Sequence, residues 1–211
     1  MGIHVKYSTL LRSMRILIVT PLYPPDIAPQ AVYVKEFAKR YAAYAEITIL
    51  AYAHIPEAID GVTSISVPKD RPLFLRLLHF TWALWRAAKM SDLLFIQNGA
   101  SVELPASIVS FFVRIPRIVM MSDISAYASG ENRALLQKIQ NLLLRRATHM
   151  VYEKSIVPKK KWLQKSTILS LPKDRPEIIS FKPYPTQDFL VYEEAWKQHL
   201  EALTHIFTYG K

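Results

Sequence analysis

The residue best suited to catalysis in this sequence is an aspartate that directly follows a predicted strand. Asp123 lies in Met121-Ser122-Asp123, after an apolar run that spans residues 117–121. A carboxylate at the carboxyl end of a buried strand can orient or deprotonate a substrate hydroxyl. The same residue also fits an N-cap or a turn aspartate, because a loop rich in Ser and Ala follows it. Asp123 is therefore the candidate catalytic residue, with the turn role left open.

Two more loops that follow predicted strands carry candidate substrate-binding residues. The loop over residues 97–101 offers an amide, a hydroxyl and a glycine that permits a tight turn. A plain strand-to-helix turn with Ser101 as N-cap explains this loop nearly as well. The residues predicted to bind substrate in the two loops are Asp26, Ile27, Ala28, Asn98, Gly99, Ala100 and Ser101.

Several kinds of site are excluded by composition and spacing. The chain has no cysteine, which excludes disulfides, thiolate metal sites and cysteine nucleophiles. Its six histidines show no metal-ligand spacing, so we expect no metal. It has five glycines and neither a G-x-G-x-x-G nor a P-loop pattern, so we expect no cofactor held by this chain. No G-x-S-x-G sequence supports a hydrolase.

The net charge of +10 favours anionic partners such as a lipid surface or a phosphorylated substrate, although solubility alone also explains it. Nucleic acid is the weaker candidate, because no Cys/His finger, RNP-type strand or basic zipper is present. The cations predicted to contact a membrane or phosphate are Arg145, Arg146, Lys159, Lys160 and Lys161. Arg145 and Arg146 also fit simple complementation of a helix dipole, and the lysines, beside Trp162, fit a solvated face.

The elements that must position these residues alternate along the chain. Apolar runs predict strands over residues 14–20, 46–52, 62–67, 92–96, 117–121, 149–152 and 167–171. Helical spacing predicts helices over residues 31–44, 72–89, 103–113, 132–146, 158–165 and 187–207. Such alternation predicts an α/β, Rossmann-like, doubly wound and mostly parallel sheet with helices on both faces. The loops after the first, fourth and fifth strands should then converge at one edge of the sheet.

Four segments are expected along the chain. They are an N-terminal extension (residues 1–13), the Rossmann-like domain (14–171), a proline-rich connector (172–186) and an amphipathic C-terminal helix (187–211) that docks on the domain. The helix over 72–89 is expected to pack between the sheet and its neighbours, with insertion into a membrane interface as the alternative. With no membrane-spanning run and no signal peptide, we expect a cytoplasmic protein, peripheral at the inner face of the membrane.

Four stretches of this sequence resemble the N-terminal, acceptor-side domain of GT-B retaining glycosyltransferases. They are RILIVTPLYPP (15–25), VYVKEFAKRY (32–41), SDLLFIQNG (91–99) and LLRRATHMV (143–151), in that order over residues 14–171. The resemblance implies an acceptor-binding domain for hexosyl transfer from a nucleotide sugar to a lipid or saccharide. It also implies that an acidic residue at the position of Asp123 contacts the acceptor or the transferred sugar.

The sequence departs from this family in two places. Where the family carries paired glycines for close phosphate approach, this chain reads Asp26-Ile27-Ala28-Pro29, and proline lacks an N–H. The family's C-terminal, nucleotide-sugar domain has no counterpart in these residues. Glu193 and Glu201 have the spacing of that domain's paired glutamates, but we interpret them as a solvated helix face.

Three functions stay open at this point. The first is an acceptor-binding half whose nucleotide sugar is bound by a donor-domain partner chain or by a second copy in a homodimer. The second is a non-catalytic binding or scaffolding protein that retains the fold. The third and weakest is an independent nucleotide-binding Rossmann protein, which the missing glycine-rich motif argues against.

Overall fold

The computed structural model describes residues 14–26, 28–53, 55–122, 133–172 and 187–209. The candidate residues Ile27 and Asp123 lie outside these ranges, as do the N-terminal extension and almost all of the proline-rich connector. The domain boundaries proposed from the sequence therefore stay predictions.

The described residues form a seven-stranded sheet in which every neighbouring pair is parallel. The strand order is β3-β2-β1-β4-β5-β6-β7, so the direction of winding reverses between β1 and β4. This confirms the Rossmann-like fold class, including the predicted switch point. The strands are β1 (Arg15–Thr20), β2 (Glu46–Tyr52), β3 (Val62–Val67), β4 (Leu93–Gln97), β5 (Arg117–Met121), β6 (His149–Glu153) and β7 (Ser166–Leu169).

Helices cover both faces of the sheet. They are α1 (Pro29–Tyr41), α2 (Leu73–Lys89), α3 (Ala100–Val109), α4 (Arg133–Arg146) and α5 (Gln187–Tyr209), with a 3-10 helix at Lys160–Lys165. Buried side chains of α2, α3 and α4 pack on one face of the sheet, and those of α1 and α5 pack on the other. Within the described ranges, none of these helices combines the length and apolar character needed to cross a bilayer.

The C-terminal helix α5 docks on the sheet, as predicted. Trp196, Leu203 and Phe207 are buried there in the same cluster as Phe95 of β4 and Met120 of β5. Because α1 follows β1, it covers the half of this face near β1 and β2, which leaves β4 to β6 for α5 to cover. The helix is therefore a structural part of the domain.

The solvated role expected for Glu193 is wrong. Its two carboxylate oxygens accept hydrogen bonds from Nη1 and Nη2 of Arg40, each at 2.7 Å, which joins α5 to α1. Glu201 is exposed, as expected. The pairing of Glu193 depends on how α5 lies across α1, which helical periodicity does not encode.

Besides small shifts at other helix ends, two predicted helices differ in the structure. Helix α3 begins at Ala100 and not at residue 103, because Gly99 is its N-cap and no side chain caps it, so the N-cap role suggested for Ser101 is wrong. The segment predicted as a helix over 158–165 forms a 3-10 turn at Lys160–Lys165. Short helical segments often take this tighter form where they lead directly into a strand.

Candidate binding cleft at the carboxyl edge of the sheet

The loops that follow β1, β4 and β5 meet, as the topology predicts. The side-chain oxygen of Asn98 accepts a hydrogen bond from the backbone N–H of Ser122 at 2.9 Å, which ties the β4 loop to the β5 loop. The hydroxyl of Thr20, the last residue of β1, lies 2.6 Å from Oε1 of Gln97. Gln97 Nε2 in turn donates to the carbonyl of Gln30 in the first turn of α1, at 3.3 Å.

Gly99 packs directly against the β1 loop. A Cβ placed on Gly99 would lie 2.6 Å from Cγ of Pro21, an atom of a ring that cannot rotate away. The glycine at this position therefore permits a close approach between the β4 and β1 loops.

We expect the substitution Gly99→Ala to lower the free energy of unfolding by about 1–3 kcal/mol, because one loop must move to relieve the overlap. Urea titration followed by circular dichroism measures this change. Ala43→Val, which adds atoms at an exposed turn residue, is the control and should stay within about 0.5 kcal/mol of the wild type. Equal stabilities of Gly99→Ala and the wild type would show that the loops do not depend on this contact.

A cleft of about 280 Å³ opens beside these loops, on the α1 and α5 face of the sheet. Its walls come from the first two turns of α1, the carboxyl ends of β4, β5 and β6, the residues after β7, and α5. The residues that line it are Pro29, Gln30, Val32, Tyr33, Glu36, Gln97, Ser122, Glu153, Leu171, Pro172, Tyr192 and Trp196.

Strand alternation explains why polar side chains gather in this cleft. In β4, Phe95 faces the α1 and α5 core, so Gln97, two residues later, lies on the same face. In β6, Val151 faces that core, which places Glu153 on the same side. Each polar residue ends its strand, and parallel strands end at one edge, so the amide and the carboxylate share the cleft.

Behind the cleft lies a buried pair formed by α1 and α5. The hydroxyl of Tyr33 lies 2.8 Å from Nε2 of His199, and the Tyr33 ring stacks on Trp196 with ring centroids 5.6 Å apart. Burial raises the pKa of Tyr33 well above its ordinary value and lowers the pKa of His199 to about 4. Both groups are therefore neutral near pH 7, and they brace the wall of the cleft.

The Arg40 guanidinium lies close to this region and is bound within the protein. Arg40 pairs with both oxygens of Glu193 and lies 5.5 Å and 5.1 Å from the ring centroids of Tyr192 and Trp196. Its hydrogen bond to Glu193 raises its pKa further above the ordinary value. Arg40 does not line the cleft, and none of the lining residues that the structure describes is Lys or Arg.

The predicted substrate-binding residues that the structure describes do not line the cleft. Asp26 is half-buried and forms an ion pair with Nζ of Lys69 at 2.7 Å, which joins the β1 loop to the segment before α2. Ala28 is the N-cap of α1. Asn98 and Gly99 hold the loops together, and Ala100 and Ser101 begin α3. The structure therefore shows a structural role for these residues. A role in ligand binding stays a prediction.

Two of the predicted basic contacts, Arg145 and Arg146, lie at the opposite edge of the sheet. Arg145 and Arg146 end α4, next to the amino end of β5, where Nε of Arg117 donates to the carbonyl of Arg146 at 2.9 Å. The Arg146 guanidinium lies 3.5 Å from the ring centroid of Phe111. These arginines are therefore far from the cleft along the strand direction.

The lysines at positions 159, 160 and 161 are exposed, but their aromatic neighbour is not. Trp162 is buried in the core formed with α2, α3 and α4, so it does not serve as the interfacial anchor considered from the sequence. The lysine run therefore has no exposed indole ring beside it.

Sequence reasoning missed the residues that line the cleft on α1, β6 and α5. The amphipathic pattern places Tyr192 and Trp196 only on the apolar face of the C-terminal helix, and it does not single out Tyr33. Gln97 and Glu153 carried a usable signal, since each is a polar residue that ends an otherwise buried strand. Within the described ranges, no three His, Asp or Glu side chains are close enough together to hold a metal ion.

Comparison with known proteins identifies similar structures, whereas no family model and no curated protein matches the chain. HepE of Anabaena in complex with UDP and glucose is 19% identical, with a TM-score of 0.53 over 76% of this chain and 45% of HepE. HepE in complex with UDP-glucose gives 19% identity and a TM-score of 0.53 over 76% of this chain and 44% of HepE. An α-glucosyltransferase in complex with UDP and DNA is 12% identical, with a TM-score of 0.44 over 77% of this chain and 41% of that protein. The chain thus spans less than half the length of HepE, and their similarity shows a shared Rossmann-like fold.

Proposed function

We propose that this chain binds the acceptor of a GT-B-type glycosyl transfer, while a donor-binding domain outside these 211 residues supplies the nucleotide sugar. The observation that carries the proposal is the cleft at the switch-point edge of the sheet. Open α/β sheets bind their ligands at this edge, outside the carboxyl ends of the strands. The fold shared with HepE, which was solved with UDP and glucose, supports the same class of chemistry.

The side chains of the cleft suit an uncharged, hydroxyl-rich ligand. The amides of Gln30 and Gln97 offer donors and acceptors, the carboxylates of Glu36 and Glu153 accept from hydroxyls, and Tyr192 adds an apolar wall. None of the twelve lining residues, all in the described part of the chain, is Lys or Arg. A sugar ring fits this chemistry better than a diphosphate, which favours a separate site for the nucleotide.

Asp123 remains the proposed catalytic residue. It follows Ser122, which lines the cleft, by one position in the sequence. Its role would be to orient the acceptor hydroxyl or to accept its proton as the sugar is transferred.

The proposal is tested by the binding preference of the chain alone. In saturation-transfer NMR, methyl glucoside should bind with a Kd on the order of millimolar, whereas UDP-glucose should show no contact through its uracil protons. Glu153→Gln should weaken sugar binding about tenfold, because it removes the charge from one acceptor. Gln198→Leu, at an exposed position of α5, is the control and should leave binding unchanged. Uracil contact without sugar contact would assign this site to the donor and overturn the proposal.

A non-catalytic binding protein is the second candidate. It is favoured by the first turn of α1, where Pro29 has no N–H, so one backbone donor is missing from the position where a phosphate would approach. Asp123→Ala separates the two functions once a donor domain is supplied. An acceptor-binding half should lose transfer activity with this substitution, whereas a binding protein has no transfer activity to lose.

A further inference from the structure

Helix α2 presents an apolar face to solvent. Phe80, Leu84 and Ala88 pack against the sheet, which accounts for the buried side of the helix. On the opposite side, Leu75 and Trp82 are 53% and 52% exposed. The exposed apolar residues of this face, called the α2 face below, are Phe74, Leu75, Leu78 and Trp82.

This arrangement differs from that of an ordinary surface helix. The outer side of such a helix is normally polar, and a contiguous exposed apolar patch marks an interaction site. The α2 face continues into exposed cations, because Arg86 and Lys89 follow Trp82 at helical spacing. The Arg86 guanidinium lies 4.8 Å from the ring centroid of Trp82. The sequence of α2 contains no Asp or Glu.

We propose that the α2 face binds the surface of an anionic lipid bilayer. A helix that lies in the interface inserts Leu, Phe and Trp side chains below the headgroups and keeps its cations at their level. The α2 face supplies both parts, and it carries no carboxylate that an anionic surface would repel. A second copy of the chain is a poorer partner, since each copy has a net charge of +10 and the two would repel.

The position of the α2 face relates it to the cleft. Leu73 and Phe74, the first residues of α2, follow β3 and so lie toward the carboxyl edge of the sheet. The ion pair between Lys69 and Asp26 fixes the segment before α2 to the loop after β1 at this edge. Helix α2 packs on the face of the sheet opposite to α1 and α5, so bilayer binding through the α2 face would leave the cleft on the side of the sheet away from the lipid surface. This proposal goes beyond sugar binding and does not depend on it.

Vesicle flotation with the full chain tests the proposal. Vesicles of one part phosphatidylglycerol to two parts phosphatidylcholine should bind the wild type at least about tenfold more strongly than phosphatidylcholine alone. The triple variant Leu75→Gln, Leu78→Gln and Trp82→Gln should lose about tenfold in binding, and Arg86→Gln with Lys89→Gln a similar factor. Raising NaCl to about 0.5 M should weaken binding by screening the cations.

The control variants replace matched side chains elsewhere on the surface. Val157→Gln with Leu163→Gln removes two exposed apolar groups, and Lys159→Gln with Lys160→Gln removes two exposed cations. These four changes should leave binding unchanged, and thermal melts should show that all variants remain folded. Equal binding to neutral and anionic vesicles, unchanged binding of the triple variant, or a loss confined to the lysine controls would each overturn the proposal. So would a triple-variant defect in self-association without one in lipid binding.

Discussion

Replacing Trp196 with alanine is expected to lower the free energy of unfolding by about 3–5 kcal/mol, the usual effect of truncating a buried tryptophan. Trp196 is 2% exposed, stacks on Tyr33 and lies beneath the Arg40 guanidinium. Its removal would leave a cavity where α5 meets α1 and would loosen the helix that covers β4, β5 and β6 on this face. Urea titration followed by far-UV circular dichroism measures the effect.

The same helix provides a matched control. Val191 is 64% exposed on α5, so Val191→Ala should change the free energy of unfolding by less than about 0.5 kcal/mol. If Trp196→Ala also stayed within that range, α5 could not be a structural part of the domain. Because Trp196 lines the cleft, the variant should in addition weaken sugar binding under conditions in which it is fully folded.

Acidification from pH 7 to pH 4 is expected to destabilise the protein by about 3 kcal/mol through His199 alone. Burial lowers the pKa of His199 to about 4 in the folded protein, whereas an unfolded histidine titrates near 6.5. Between these values the unfolded chain binds a proton that the folded chain does not. The stabilisation is therefore complete above about pH 6.5 and is lost as the pH falls toward 4.

The groups that face His199 explain why its pKa is lowered. The Tyr33 hydroxyl contacts Nε2, the Trp196 ring lies edge-on with centroids 5.8 Å apart, and a backbone hydrogen bond with Ser170 partly opposes the decrease in pKa. None of these groups carries a negative charge that would hold an imidazolium ion. Burial of the ring is therefore the main cause of the lowered pKa of His199.

The contribution of His199 is isolated by comparing variants across pH. The free energy of unfolding of His199→Gln should depend less on pH between 4 and 6.5 than that of the wild type, by about 3 kcal/mol over the window. His205→Gln changes an exposed histidine of the same helix and should keep the wild-type dependence. Burial also lowers the pKa of His149, which leaves a remaining dependence of the same sign in both variants. If the free energy of unfolding changed with pH equally in His199→Gln and in the wild type, His199 could not be the source of the pH dependence.

Local pattern was sufficient to predict the sheet. Each strand is a short apolar run, and helices alternate with strands, so only a parallel sheet covered on both faces satisfies the connections. The convergence of the loops after β1, β4 and β5 followed from the same topology. Helix ends were less predictable. Helix α3 begins after Gly99, which packs closely on Pro21, and no capping side chain marks this position in the sequence.

The candidate site was only half predictable. Strand order alone located the edge and the loops that contain Asn98 and Ser122. The walls of the cleft needed the tertiary structure, because Trp196 is distant in sequence from Tyr33, and only the docking of α5 brings them together. Likewise, only that docking pairs Glu193 with Arg40.

The amino-acid sequence by itself determined the elements, their parallel order and the edge where a ligand would bind. Periodicity is a local property of each segment, and the topology follows from the order of helices and strands along the chain. Tertiary packing decided which surfaces are covered. It buried Trp162 and left Trp82 exposed, although both are tryptophans beside cations in helical segments. It also placed Arg145 and Arg146 at the edge opposite the cleft. Burial depends on what packs against a face, and a single segment does not carry that information.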